Sequence, residues 1–223
     1  YVHGAPGTYA EVRNVPAGRL VKVPKSISDE QAAAMMLKGL TAQYLLRRTY
    51  RVKRGDWILV HAAAGGVGLI LCQWARALGA KVIGVVGSDA KAALAKRHGC
   101  HHVLISGRDD LVASVKKLTK NAGVAVVYDS VGADTFFPSL DCLAPLGMMV
   151  TYGNASGPVP PFSPLELSKR GSLFLTRPSL FAYIAKRSDL DAMARDLFRA
   201  VASRKVKIVV GQRYPLADVG KAH

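Results

Sequence analysis

The sequence predicts an α/β fold, a doubly wound parallel sheet with remnants of a second domain at its two ends. Three observations lead there. After Asp56, short apolar runs suited to strands alternate with helical patterns, the strands are apolar along their whole length, and a glycine-rich turn joins the first strand to a helix. Strand and helix in succession call for crossover connections, which give parallel pairing with helices on both faces. Strands buried on both faces need no alternation with polar residues.

Composition narrows the function classes. The 223 residues are 50% hydrophobic, too apolar for a disordered chain, and carry 31 Lys+Arg against 15 Asp+Glu, a formal charge of +16. Cys72, Cys100 and Cys142 are too few and too widely spaced for a disulfide scaffold or a CxxC zinc site, so a reducing, cytoplasmic compartment and no structural metal are expected. The surplus charge favours acidic partners such as nucleic acid, membrane headgroups or a polyphosphate cofactor. Its densest stretch is RRTYRVKR (47–54), which reads first as a solvated basic face, since no RNA-binding signature accompanies it. Trp57 to Ala75 lacks any Asp, Glu, Lys or Arg, yet Gly65, Gly66 and Gly68 break it into strand, turn and helix, so no membrane span is expected.

The elements follow in order. Residues 1–25 hold Gly, Pro and short β-like pieces; SISDEQAAAMM then starts a helix, with Ser28 and Gln31 spaced as a capping box. Strands are predicted at WILVH (57–61), KVIGVV (81–86), HVLI (102–105), VAVVYD (124–129), GMMVTYG (147–153) and GSLFLT (171–176). Val67, Ile70, Leu71, Trp74 and Leu78 give the helix after the first strand one apolar face. Lys91 to Arg97 and Asp110 to Lys120 make two more helices, and the chain ends with a helix (Asp189 to Ser203), a short strand KIVV and the tail to His223.

The turn HAAAGGVG carries the chemistry. Ala63-x-Gly65-x-x-Gly68 has the spacing that a dinucleotide-binding turn needs: a tight exit from the strand, close backbone approach to a pyrophosphate, and a small residue where helix meets strand. About twenty residues on, where NAD-binding chains place a carboxylate on the ribose, the second strand ends at Gly87-Ser88 with Lys91 beyond. A small residue and a cation accept a 2′-phosphate, so NADPH is favoured; Asp89 turned inward would serve NAD instead. Elsewhere, GNASG (153–157) puts Ser156 one place late for a nucleophile elbow. His61 reads as a packed core histidine, and His101-His102 as the start of a strand.

The strings LKGLTAQYLLR, HAAAGGVG, VVGSDAK, VVYDSVG, MVTYGNASG and GSLFLTRPSL, collinear over nearly the whole chain, resemble the zeta-crystallin-like NADPH-dependent quinone oxidoreductases of the medium-chain dehydrogenase/reductase superfamily. That resemblance implies a Rossmann NADP-binding domain over 31–178, a remnant of a GroES-like β catalytic domain at 1–30, and a truncated C-terminal segment, 179–223, returning to it. It implies zinc-independent transfer of reducing equivalents from NADPH to a quinone, and a homodimer paired near Ser172 to Thr176. By position, Gly65, Gly66 and Val67 meet the pyrophosphate, while Gly87, Ser88 and Lys91 hold the 2′-phosphate end. Thr41 and Tyr44 lie near the nicotinamide, and Val131, Tyr152, Gly153 and Asn154 line the cofactor along the sheet's carboxyl edge. Ser106 stands where many relatives have a tyrosine against the adenosine phosphate. The alternatives are an NADPH-dependent enoyl or alkenal reductase of the same superfamily, and a non-enzymatic RNA-binding role. No proton donor can be singled out.

Overall fold

Ser28 opens the first long helix. Its Oγ accepts the Gln31 amide at 3.2 Å while its own amide donates to Gln31 Oε1 at 3.1 Å, the reciprocal bonding of a capping box. Helix α1 then runs over Asp29–Tyr44 and widens into a π-helical turn, Leu45–Thr49. The computed structural model describes residues 7–223. Of the 1–30 segment expected to be a domain remnant, positions 1–6 lie outside the described residues. From Gly7 to Ile27 no strand forms, only a short turn of 3-10 helix at Ala17–Arg19, because no partner strand stands beside this stretch.

The alternation after Asp56 folds as expected. Strands β1 (Trp57–Val60), β2 (Lys81–Val86), β3 (His102–Ile105), β4 (Val124–Asp129), β5 (Leu143–Thr151) and β6 (Phe174–Thr176) make one parallel sheet in the order β3-β2-β1-β4-β5-β6. Helices α2 (Gly66–Ala77), α3 (Asp89–Arg97), α4 (Leu111–Thr119) and α5 (Phe136–Asp141) form the crossovers, followed by α6 (Leu165–Lys169), α7 (Leu180–Tyr183) and α8 (Arg187–Ala202). The strand order reverses between β1 and β4, and ligands of such sheets bind at that switch, beyond the carboxyl ends of the strands.

Successive side chains of each strand enter opposite layers. Ile58, Val60, Val82, Val126, Tyr128 and Val150 pack with α1, α2 and α8, whereas Leu59, Ile83, Val127 and Met149 pack with α4 and α5. In the first layer α8 lies directly on α1: a Cβ added to Gly39 would come within 2.6 Å of Leu197 Cδ1. The last expected strand, KIVV, does not form. With no neighbouring strand, Lys207 instead bonds to the Gln73 side chain, which accepts its amide at 2.9 Å and donates to its carbonyl at 3.1 Å.

Candidate functional site

The turn between β1 and α2 is built from contacts that leave no room for larger residues. Ala62 takes a left-handed conformation (φ 49°), Ala63 donates its amide to Val85 O at 3.0 Å, and Gly65 N donates to Ala62 O at 2.8 Å. A Cβ on Gly68 would lie 2.4 Å from Ala62 O, so the third small position is fixed by helix-on-strand packing. Gly65 caps α2 without a side chain, leaving the helix's first amides to an anion. Beneath the turn, His61 is buried and its Nε2 sits 2.8 Å from Ser139 Oγ. Burial pushes its pKa below the usual histidine value, partly offset by the Asp129 carboxylate, so the ring is neutral near neutral pH.

A cleft of about 320 Å³ opens at the switch point. It brings together five of the residues singled out from sequence, Gly65, Gly87, Lys91, Ser106 and Val131, beside His61 and Asp134. Asp89, the residue that complicated the choice of cofactor, is turned outward, 84% exposed, with its Oδ1 held at 3.0 Å by Arg108 Nη1. Ser88 caps α3, its Oγ accepting the Lys91 amide at 3.4 Å. Ser106 is exposed and borders both the cleft and an adjoining recess of about 160 Å³, so the position that carries tyrosine in many relatives stands open here.

A second cleft, about 340 Å³, gathers Thr41 and Tyr44 from α1 with Tyr152, Arg177 and Leu180. Tyr44 stacks on Tyr183 with ring centroids 4.4 Å apart. Burial pushes the Tyr44 hydroxyl up to about 12, and pushes that of Tyr152 up as well. Both phenols therefore stay protonated and offer hydrogen bonds rather than charge. Arg177 is the residue that reading the sequence missed: Nη1 donates to Thr151 O at 3.0 Å and Nη2 to Asn154 Oδ1 at 3.3 Å. It stands in the TRPSL string, one residue past β6, so only the folded sheet shows that it reaches β5.

Gly66, Val67, Ser88, Gly153 and Asn154 line neither cleft. Gly66 lies against the Lys38 side chain, and a Cβ there would meet Lys38 Cε at 2.7 Å. Gly153 is pressed onto the end of β4, where a Cβ would meet Ser130 O at 2.4 Å. Asp129 ties that end down, accepting the Val131 amide at 2.7 Å and the Thr135 hydroxyl at 2.8 Å. Ser156 is likewise structural, donating to Val131 O at 3.0 Å and accepting the Asp134 amide at 3.1 Å. Among the described residues no three His, Cys, Asp or Glu side chains gather to hold a metal ion.

An open helix N-terminus, a lysine in the cleft and a carboxylate turned away from it suit a dinucleotide with a 2′-phosphate, and the fold and site define a Rossmann-type NADPH-binding oxidoreductase domain. A zinc-binding dehydrogenase family model matches residues 66–198. A curated quinone oxidoreductase of Pseudomonas aeruginosa is 48% identical over 223 residues, all of this chain and 69% of its own length. The crystal structure of the Escherichia coli quinone oxidoreductase complexed with NADPH superposes with a TM-score of 0.94 at 49% identity, covering 98% of this chain and 68% of that one. A 2-haloacrylate reductase of a Burkholderia species is 47% identical over 97% of this chain and 66% of its own length. The chain thus spans about two thirds of the length of these relatives. It belongs to the quinone oxidoreductase family of the medium-chain dehydrogenase/reductase superfamily.

Proposed function

We propose that this chain is the cofactor-binding part of an NADPH:quinone reductase whose second, GroES-like domain supplies the other wall of the substrate cleft, with α8 of the C-terminal segment packing on the sheet beside α1 rather than on that domain. The observation that carries the reading is the pair of clefts along one sheet edge, Lys91 in one and Tyr44, Tyr152 and Arg177 in the other. When bound, NADPH supplies a hydride from its nicotinamide ring. Lys91 holds the 2′-phosphate, the turn at Gly65 to Val67 with the first amides of α2 holds the pyrophosphate, and Gly87 leaves space for the ribose end. Ser88 and Ser106 flank that end. Val131, Gly153 and Asn154 carry the backbone edge along which the cofactor extends.

Thr41, Tyr44 and Tyr152 orient the nicotinamide half. The Thr41 hydroxyl donates to Leu37 O at 2.8 Å, and the two protonated phenols share the second cleft with it and with Arg177. Catalysis by these residues is positioning and exclusion of water. Arg177 fixes the loop after β5 that carries Tyr152 and Asn154. Free, buried Cys72, Cys100 and Cys142 suit a reducing, cytoplasmic compartment. The exposed edge of β6 suits pairing with a second copy.

The 2-haloacrylate reductase among the relatives supports a second reading, reduction of an activated carbon–carbon double bond. Loss of NADPH absorbance should be followed with a series of benzoquinones and naphthoquinones and, in parallel, with enones and 2-haloacrylate. Quinone reduction is expected to give the higher kcat/KM. Turnover confined to the enones overturns the quinone assignment.

A further inference from the structure

The basic stretch 47–54 is not used by the cofactor clefts. Arg47, Arg48 and Arg51 of this stretch instead form one wall of a groove of about 670 Å³ between the π-helical end of α1 and α8. Arg47, Arg48, Arg51 and Arg199 line it together with Asp189, Asp196 and Gln43. The two carboxylates engage two of the four guanidiniums: Arg48 Nη2 lies 3.2 Å from Asp189 Oδ1, and Arg47 Nε lies 3.8 Å from Asp196 Oδ2. Among the described residues, the side chains of Arg51 and Arg199 make no hydrogen bond or ion pair. The groove keeps two uncompensated positive charges whose donors are unspent.

Gln43 adds an independent observation. It is only 6% exposed and its Nε2 donates to Asp196 Oδ2 at 3.1 Å, yet its Oε1 is buried without a partner. The bond to a carboxylate fixes which end of the amide is nitrogen, so the orphan atom is an acceptor awaiting a donor. A buried acceptor left unpaired costs free energy that a bound hydroxyl restores. Free guanidiniums call for an anion, and the orphan acceptor calls for an anion that also carries a proton.

We propose that this groove binds a phosphate group, as inorganic phosphate or a small phosphomonoester, with Arg51 and Arg199 as its principal donors and Gln43 Oε1 accepting from its hydroxyl. Guanidinium forks match phosphate oxygens two at a time. A concave pocket closed by two carboxylates suits a compact ligand, because an extended nucleic-acid backbone needs an uninterrupted basic track.

The test is calorimetric titration of the chain, saturated with NADPH, with inorganic phosphate, phenyl phosphate and sulfate. Tighter binding of inorganic phosphate identifies the free ion as the ligand, and tighter binding of phenyl phosphate identifies a monoester; either supports the site. Affinity should fall at least about tenfold in each of Arg51→Ala and Arg199→Ala, exposed side chains whose removal leaves the core intact, and stay unchanged in Lys91→Ala. The proposal is overturned by phosphate binding that survives the double variant, by loss confined to Lys91→Ala, or by sulfate binding as tightly as phosphate. An RNA oligonucleotide binding where phosphate does not also overturns it.

Discussion

Lys91 and Asp89 stand two residues apart in the first turn of α3, and the direction each takes decides the cofactor. With Asp89 held by Arg108 outside the cleft, its carboxylate does not oppose a 2′-phosphate at Lys91. Lys91→Ala should weaken NADPH binding roughly ten- to a hundredfold, the range for losing one charge-assisted bond, and leave NADH binding unchanged. Fluorescence titration with both cofactors reads this directly, and an equal loss for NADH would place Lys91 outside the phosphate end. His61 gives a prediction of a different kind. Its folded pKa lies below the unfolded 6.5 because burial disfavours the charged ring. The unfolded chain then binds the proton more readily, so this contribution to stability is complete above about pH 6.5 and declines as pH falls through the lower folded value. His61→Asn removes the titrating group, and its urea-unfolding free energy should fall less between about pH 7 and about pH 5 than that of the parent. Parallel slopes would show that other groups carry the decline.

Helix α1 links local sequence to the site, since it begins at a capping box and ends by presenting Thr41 and Tyr44 to the second cleft. Ser28→Ala removes the bond to the Gln31 amide and should cost about 1 kcal/mol, seen as a lower urea midpoint with unchanged m-value. A midpoint equal to the parent's would mean that fraying at this end is not coupled to global unfolding. This cap was legible in the sequence because it is a contact between neighbours in the chain. The six strands were legible for the same reason, as apolar runs that end within a few residues of the observed boundaries. KIVV reads as a strand by composition alone, and it fails because a strand needs a neighbouring edge that this segment does not have. Arg177 was missed because its partners, Thr151 and Asn154, become adjacent only when β6 pairs with β5. The dinucleotide turn was readable in outline, whereas the outward rotation of Asp89 depends on Arg108, nineteen residues away.

For the whole molecule, charge and assembly meet at β6. This three-residue strand ends the sheet, and its outer edge pairs with nothing among the described residues. On the strand itself Phe174 is 56% exposed and Leu175 36%, apolar side chains on an edge strand. Such an edge invites pairing with another chain, and two copies related by a twofold axis would extend the sheet across it. Each copy carries a formal +16, so their approach is opposed by long-range repulsion that salt screens. The association should therefore tighten as ionic strength rises, opposite to the behaviour of a contact held by ion pairs. Sedimentation velocity over a salt series should show the dimer fraction growing with salt. Phe174→Lys, which adds a charge and removes the apolar contact at an exposed position, should give monomer throughout. A dimer that weakens with salt, or one that survives Phe174→Lys, would move the interface away from this edge.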